Sequence, residues 1–339
     1  MPSSGLLPGK LPANLLATLL ADLPAAPPEL ILGPAIGEDA CVIEVPKGAL
    51  VAAADPITLT TRAIGRFGVV INANDVAVTG VRPRWFLAVI LLPKGTTRED
   101  VRWIFTSIEE GLEEVGAVLV GGHTEITEAV SQPVLVGLMI GISEQGHFVS
   151  TRGAKPGDVL VQVGRVPVEG TAVLAVEAEA ALGSLPARLL EAAANAADAP
   201  GLSVVEPALL AAELGATAMH DPTEGGMAAG LHETGQAAGV GLTIDTRSIL
   251  WFEPGLAVCE AVGADPWATL ASGALLATFP QDLVDHAVGE LTQRGHVAAV
   301  IGSVRKGAGV RDQAGGVIPW PERDEVARIL ESRDTTVTS

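Results

Sequence analysis

The sequence predicts a two-domain protein of mixed α and β structure, and its length and composition support that fold class. The chain has 339 residues, 48% of them hydrophobic, which is enough for two cores of ordinary size. Aromatic residues make up only 3% and Tyr is absent. The cores must therefore be built mainly from Ala, Val, Leu and Ile, which suit β-branched strands and Ala-rich helices.

The first domain is predicted to be rich in strands and to span residues 37–150. Residues 1–36, rich in Pro and Leu, are predicted to form an ordered arm with one short helix. Short apolar runs closed by Pro or Asp predict strands, and segments with apolar residues at helical spacing predict two covering helices. The strands are predicted at 41–45, 50–54, 84–92, 117–122 and 134–142, and the helices at 63–79 and 98–115.

A turn-rich segment between Thr151 and Asp158 predicts a domain boundary near residue 150. Residues 151–321 then mix the two patterns, which predicts a second domain of the α+β class. Its strands are predicted at 159–163, 216–219, 240–244, 274–279 and 296–301, with helices inside 170–215 and at 224–238, 255–262 and 282–294. Residues 322–339, charged and then rich in Ser and Thr, are predicted to form a flexible tail.

The charge balance excludes some classes of partner. Lys and Arg number 21 against 40 Asp and Glu, giving a net charge of −19, so nucleic acid and anionic membrane surfaces are not expected to bind. The N-terminus lacks the apolar core of a signal peptide, and no apolar stretch is long enough to span a bilayer. Cys41 and Cys259 are too far apart in sequence for a metal motif and form no disulfide framework. We therefore expect a cytoplasmic protein and leave the roles of both cysteines open.

Two carboxylates lie at the ends of neighbouring predicted strands. Asp39, in the run Gly37-Glu-Asp39, precedes the first strand of the domain, and Asp55 follows the second. Carboxylates at adjacent strand ends can converge on a hard cation such as Mg²⁺, which prefers oxygen ligands. A turn residue and a strand terminator would give the same pattern, and for these two positions taken alone we favour that interpretation.

A second polar cluster interrupts the first predicted helix. Asn74 and Asp75, with Asn72 before them, lie in an otherwise apolar segment. Burying such side chains against a sheet is unfavourable unless they face a polar site. A solvent-exposed helix face is the alternative interpretation.

Two glycine-containing runs are candidates for phosphate binding. Gly121 and Gly122 end a predicted strand and are followed by His123 and Thr124, where glycines would let the backbone approach a phosphate closely. A glycine-containing hairpin is the alternative interpretation.

The other glycine-containing run lies between a predicted strand and a predicted helix. His220 and Asp221 precede Thr223, Gly225 and Gly226 in this run. Thr223 is a suitable helix N-cap, and the free N–H groups of a helix start can bind an anion. An ordinary capping turn would need neither the glycine pair nor the preceding His-Asp pair, so we favour a functional role.

Common phosphate-binding loops are absent from the sequence, so a nucleotide site must be of another type. The order of the runs Gly37–Asp39, Asn74–Pro83, Gly121–Glu125 and Asp221–Gly226 resembles the aminoimidazole ribonucleotide (AIR) synthetase superfamily between about residue 30 and about residue 305. The His-Asp-Pro-Thr run and the Asn-Asp run with Gly-Val-Arg-Pro are most similar to the hydrogenase-maturation carbamoyl dehydratase branch of that superfamily.

This resemblance implies an N-terminal β-rich domain that pairs with a second copy in a dimeric barrel, and a C-terminal α+β domain that closes the cleft. It implies ATP and Mg²⁺ as cofactors, with catalytic roles for Asp75, Asp221 and His123. The implied metal ligands are Asp39, Asp55, Asp75 and Asp221. The implied nucleotide contacts are Gly37, Asn74, Gly121, Gly122, Thr124, Thr223, Gly225 and Gly226.

The implied chemistry is attack of an amide or related oxygen on the γ-phosphate of ATP, on a small-molecule or protein-borne substrate. The carbamoyl dehydratases carry a terminal Cys, whereas the sequence here ends in Thr-Ser, so their reaction at that Cys is not expected. Glu224 and His123 also depart from the patterns of relatives and leave the substrate open. The alternatives are a small-molecule kinase resembling thiamine-monophosphate kinase and a non-catalytic nucleotide-binding scaffold in a maturation complex.

Overall fold

A seven-stranded sheet forms the N-terminal half of the protein. The computed structural model describes residues 13–21, 27–58 and 63–337. The strands are β1 (Leu30–Leu32), β2 (Cys41–Glu44), β3 (Ala49–Ala53), β4 (Pro56–Ile57), β5 (Pro83–Pro93), β6 (Val118–Thr127) and β7 (Val134–Ser143). Their order is β1-β2-β3-β7-β5-β6, with β4 also paired to β7. Only β5 and β6 are parallel, as expected for strands joined through a helix.

Helices cover one face of this sheet. They are α2 (Ile64–Ala77) and α3 (Arg98–Val115), and a separate helix, α1 (Ala13–Ala21), precedes the sheet. Thirteen of the fourteen residues of α2 are buried. α3 begins with a capping box between Thr97 and Asp100 and ends at Gly116 in the left-handed conformation, so local sequence fixes both of its ends.

The opposite face of the N-terminal sheet is apolar but only half-buried. Alternate residues on β5 and β7, such as Leu87, Leu91, Val136 and Leu138, are of intermediate exposure, whereas their neighbours in sequence are buried under the helices. No described element of the chain covers this face fully. It is therefore a broad apolar surface on a single copy of the protein.

A six-stranded sheet forms the C-terminal half, with the order β13-β10-β12-β8-β11-β9. These strands are β8 (Val159–Val163), β9 (Ala218–His220), β10 (Gly241–Ile244), β11 (Leu275–Phe279), β12 (Ala298–Arg305) and β13 (Val310–Asp312). The helices of this half are α4 (Glu169–Glu177), α5 (Ala187–Ala194), α6 (Val205–Glu213), α7 (Gly226–Ala238), α8 (Glu253–Val262), α9 (Val284–Gln293) and α10 (Glu325–Val337). The predicted α+β class is confirmed for this two-domain arrangement.

The C-terminal segment differs from the flexible tail that the sequence predicts for 322–339. Within the described residues, Glu325–Val337 form α10, and Val326 is fully buried in a cluster with Leu174 and Val258. This segment is helical and packed because its apolar residues contact those of α4 and α8. The arm expected at 1–36 likewise contributes β1 to the sheet, while residues 1–12 and 22–26 lie outside the described part.

Hydrogen bonds of Arg152 and Asn74 join the two halves beside the predicted site. The Glu38 carboxylate, whose side chain is only 3% exposed, accepts bonds from Ser150 Oγ at 2.8 Å and Arg152 Nε at 3.0 Å. The Asn74 amide bonds to the backbone of Leu202 and Val204. Because these contacts fix the junction, residues from both halves can share one site. Among the described helices, none is both long enough and apolar enough to cross a membrane.

Candidate functional site

Three side chains from the two halves, two of them buried and one half-buried, meet at one point. Ligand-type atoms of Asp39, His220 and Asp221 all lie within 4.8 Å of one another. Asp221 is 1% exposed and His220 2%. Two carboxylates so close together in a protein interior repel each other unless a cation or an imidazolium lies between them.

His220 bridges two carboxylates. Its Nδ1 lies 2.7 Å from Oδ2 of Asp39, and its Nε2 lies 3.0 Å from Oε2 of Glu233 on α7. Burial alone would lower the pKa of His220, but the attraction and hydrogen bonds of Asp39 and Glu233 outweigh burial and hold that pKa well above its ordinary value. In the structure as it stands, His220 is therefore an imidazolium that donates from both nitrogens.

Local backbone geometry explains why these residues meet. β9 pairs with β11, with His220 opposite Leu276, so the chain leaves the sheet edge at Asp221. Gly37 has a φ of 79°, and a Cβ built there would lie 2.5 Å from the carbonyl oxygen of Glu233. Only glycine lets the Asp39 loop approach α7 this closely. Gly37, predicted to contact nucleotide, thus has a packing role in this structure.

A cleft lies between the two halves, and one of its lining residues, Thr223, is two positions after Asp221 in the sequence. Asp55, Thr223 and Glu224 line it together with Glu169 and Ser272. Asp55 is held there by Asn72, whose side chain accepts a hydrogen bond from Asp55 N at 2.8 Å and donates one to Asp55 O at 3.2 Å. Asn72 on α2 therefore fixes the backbone of Asp55 at the edge of the cleft. Thr223 and Asp55, two predicted site residues, share this cleft.

Two acidic side chains in or near the cleft are buried. Burial raises the pKa of Glu169 to about 7, with repulsion from Asp324 and Glu224 adding to the shift and the nearby Ser272 hydroxyl opposing it. Burial likewise raises the pKa of Asp324 to about 7, despite bonds from the backbone N–H groups of Gly225 and Val326. Both carboxyl groups therefore titrate near neutral pH.

Not all of the four predicted metal ligands converge. Among the described residues, the close group contains Asp39 and Asp221, while Asp55 and Asp75 lie outside it. Asp75 is buried on α2. Its neighbour Asn74 directs both ends of its amide to the backbone of the C-terminal half, at 2.9 Å each. Nucleotide binding by Asn74 stays a prediction, and its observed contacts are structural.

The run from Gly121 to Thr124 differs from the loop expected after a strand. These residues continue β6, with His123 opposite Val89. Gly122 has a φ of 144°, and a Cβ there would lie 2.0 Å from the carbonyl oxygen of Ala88. The glycine therefore serves strand pairing, which is why the strand does not end there.

β6 also lies far across the sheet from the cleft. Val89 and Pro56 both lie opposite Val136, so three strand spacings, about 14 Å, separate the backbones of Pro56 and His123. His123 is exposed and contacts Glu125 at 3.3 Å. Within one copy of the chain, Gly121, Gly122, His123 and Thr124 are thus not brought to the Asp39 group.

The sequence predicts free N–H groups at the start of α7 that could bind an anion, but in the structure these groups have partners within the chain. The helix begins at Gly226 with Gly225 as N-cap, and the Thr223 side chain does not cap it. The N–H of Gly225 donates to Asp324 at 2.7 Å, and the N–H of Gly226 donates to the Thr223 carbonyl. A carboxylate of the chain itself therefore takes the N–H group predicted for phosphate.

Sequence reasoning missed three side chains of this region: Glu169, Glu233 and Asp324. An acid inside an apolar run is a recognisable signal, and Glu169 follows Val-Pro-Val in such a run. Glu233 and Asp324 carry no such signal, because their roles depend on how distant segments pack. Neither cysteine joins the site: the Cys259 thiol is buried, which raises its pKa to about 11, and Cys41 is half-buried on β2.

Both halves of the chain match models of known protein families. The family model described as "AIR synthase related protein, N-terminal domain" matches residues 37–143, and the corresponding C-terminal domain model matches residues 155–314. Together the two matched ranges cover well over half of the chain.

Similar curated proteins carry hydrogenase-related names. The hydrogenase expression/formation protein HupE of Azotobacter chroococcum is 28% identical over 281 residues, which cover 79% of each chain. The carbamoyl dehydratase HypE of Cupriavidus necator is 27% identical over 315 residues, which cover 86% of each chain.

Solved structures share the fold. The hydrogenase maturation protein HypE in complex with ATP has a TM-score of 0.71 at 23% identity, covering 87% of this chain and 92% of that one. AaThiL complexed with AMPPCP and TMP has a TM-score of 0.69 at 20% identity, covering 91% and 95%. At these identities the likeness is one of fold.

Proposed function

Because the chain belongs to the AIR synthase related family, in its HypE-like branch, we propose that it is a Mg²⁺-dependent, ATP-using enzyme that activates an amide or related oxygen by phosphorylation. The observation that carries this proposal is the close group of Asp39, His220 and Asp221, assembled from both halves of the protein. The ATP and AMPPCP complexes of proteins with the same fold support it.

The donor set at this group fits Mg²⁺. Asp39 and Asp221 supply carboxylate oxygens, the ligands that Mg²⁺ prefers. With Glu233 included, three carboxylates surround one imidazolium, so the site retains an excess of negative charge that a divalent cation would offset. Asp39 and Asp221 would hold the metal, which when bound would neutralise charge on the phosphates of ATP.

The cleft beside this group would position the reacting oxygen. Thr223 and Asp55 both line it, together with the apolar residues Ile57, Ile71 and Leu270. Apolar walls exclude water, and a water-poor site favours attack by the substrate oxygen over hydrolysis of ATP. The amide oxygen would form a bond to the γ-phosphorus as the bond to ADP breaks.

We also propose that the enzyme is a homodimer built on the N-terminal sheet. The half-buried apolar face of β5 and β7 continues onto the edge strand β6, where Val118 is 56% exposed and Val120 53%. An unpaired apolar edge is a site for pairing with another strand, and a second copy of the same surface is the simplest partner.

Titration calorimetry with ATP and Mg²⁺ tests the proposed function. Asp221→Asn and Asp39→Asn are each expected to weaken Mg²⁺-dependent ATP binding at least about tenfold, equivalent to about 1.4 kcal/mol, because each removes a carboxylate from the proposed metal ligands. The control is Asp285→Asn on the exposed surface of α9, which should bind like the unaltered chain. Unchanged affinity in both site variants would remove the proposal.

Product analysis separates activation from phosphoryl transfer. An activating enzyme releases inorganic phosphate together with the new bond, whereas a kinase leaves a stable phosphorylated product. Phosphate release that depends on a carboxamide substrate is the expected result.

A further inference from the structure

The row of residues Glu233, His220 and Asp39 crosses the junction between the two halves. Asp39 belongs to the loop before β2, His220 ends β9, and Glu233 lies on α7. The distances are 2.7 Å from His220 Nδ1 to Asp39 and 3.0 Å from His220 Nε2 to Glu233. The three side chains are 15%, 2% and 13% exposed, for Asp39, His220 and Glu233 respectively. Such a buried row has few alternative arrangements.

The geometry does not suit His220 as a metal ligand, although its ring lies close to two carboxylates. A metal-bound imidazole needs a nitrogen lone pair directed at the metal. Both ring nitrogens instead lie at hydrogen-bond distance from carboxylate oxygens, which accept hydrogen bonds and do not donate them. Each nitrogen therefore presents a donor, and the ring acts on Asp39 through a hydrogen bond.

That hydrogen bond fixes one oxygen of Asp39 and orients the other. The contact uses Oδ2 of Asp39, and a carboxylate has a second oxygen that can coordinate a cation. Glu233 in turn restrains the imidazole from the other side. Partners of this kind, one step removed from a metal, orient the ligands that bind it.

We propose that His220 is a positioning residue, which holds the carboxylate of Asp39 beside Asp221 so that the two halves of the protein together form the cation site. This inference rests on the proposed function, since Asp39 and Asp221 must bind the cation. Within it, His220 acts through Asp39, and Glu233 acts through His220.

Two substitutions of His220 separate a hydrogen-bonding role from packing. The side-chain N–H of His220→Asn takes the position of Nδ1 and can still donate to Asp39. The amide of His220→Gln takes the position of Nε2, so it reaches Glu233 and loses Asp39. With Mn²⁺ as the probe and free Mn²⁺ measured by electron paramagnetic resonance, Gln is expected to weaken binding about 10–100-fold and Asn far less.

The control is His232→Gln, on the same helix as Glu233. His232 lies 2.8 Å from the carbonyl oxygen of Ile318 and stacks on Trp320, away from Asp39. The affinity of the His232→Gln variant for Mn²⁺ should equal that of the unaltered protein. Thermal unfolding followed by circular dichroism shows whether each variant is folded. If His220→Gln does not fold, Glu233→Gln takes its place and is expected to weaken Mn²⁺ binding less severely.

Three results would overturn the inference. Equal losses in His220→Asn and His220→Gln would assign His220 to packing alone. Electron spin echo signals that show ¹⁴N coupling to Mn²⁺ in the unaltered protein, lost in His220→Gln, would make His220 a ligand. Absence of Mn²⁺ binding in the unaltered protein would remove the proposed function and this inference together, which distinguishes that failure from the other two.

Discussion

Glu169 shows how one residue can set the pH response of the protein. Its carboxyl group is buried beside the cleft, and its pKa is raised to about 7. An unfolded Glu titrates near pH 4.3, so between about pH 4 and about pH 7 the folded state binds the proton and the unfolded state does not. The stability that this carboxyl group contributes is therefore complete below about pH 4 and lost as pH rises through about 7.

Glu169→Gln should remove that loss. In urea unfolding experiments on the ligand-free protein, we expect the free energy of unfolding of the unaltered chain to fall by about 2 kcal/mol more than that of the variant between about pH 5 and about pH 8. The exposed residue Glu179 supplies the control, Glu179→Gln, which should follow the unaltered chain. Parallel curves for Glu169→Gln and the unaltered chain would contradict this account.

The convergence of Asp39 and Asp221 could be predicted from sequence only through the order of the motifs. Their spacing of about 180 residues carries no geometric information. The bond from His220 to Asp39 could not be predicted at all, because it exists only once the two halves dock. Nucleotide binding by Gly225 stays a prediction, and the contact that its N–H makes here could not be predicted for a similar reason: its acceptor, the carboxylate of Asp324, lies far along the chain.

At the scale of elements, α2 packs in the core and also holds backbone segments at the cleft and at the junction of the two halves. Its Asn72 holds the backbone of Asp55, and its Asn74 holds the backbone of Leu202 and Val204. Both side chains are fully buried. Polar residues in a buried helix are stable here because every amide end has a backbone partner.

Asn74→Ala should therefore be costly. The change leaves the carbonyl of Leu202 and the N–H of Val204 without their partner at a buried junction, for a loss of about 2 kcal/mol or more. Chemical denaturation measures this difference. Asn195→Ala, at the exposed end of α5, should change stability by less than about 0.5 kcal/mol, and a similar small change in Asn74→Ala would show that the junction does not depend on this amide.

Local periodicity predicted many elements closely. The helix at 98–115 and the strand at 159–163 have the predicted bounds, since capping residues and apolar pattern agree there. β6 was predicted to end at 122 but runs to Thr127, because pairing with β5 decides its length and the glycines inside it resemble a turn. α10 was missed because its charged sequence hides the few apolar residues that pack.

At the scale of the whole molecule, the exposed apolar face should control assembly. Val89 lies on this face and is 40% exposed, so Val89→Lys can be solvated in a single copy but would place charges inside a dimer. Light scattering after size exclusion should give a dimer for the unaltered chain and a monomer for the variant. Val317→Lys, at a 66% exposed position in the C-terminal half, should remain dimeric, and dimeric Val89→Lys would exclude this face as the interface.

The fold of one copy of the chain brings some of the predicted site residues together and leaves others apart. Its fold brings Asp39 to Asp221 and Asp55 to Thr223, and it leaves the Gly121–Thr124 run on the exposed edge strand. The two halves are joined by hydrogen bonds from Arg152 to Glu38 and from Asn74 to the backbone of Leu202. The proposed cation site therefore belongs to the docked pair of domains and to neither half alone.

A crystal structure of the protein with Mg²⁺ and the ATP analogue AMPPCP tests the central claim most directly. The account predicts a cation about 2.1 Å from carboxylate oxygens of both Asp39 and Asp221, with the phosphates bound to that cation at the mouth of the cleft. A nucleotide bound elsewhere, with these two carboxylates making no contact to metal or phosphate, would contradict it.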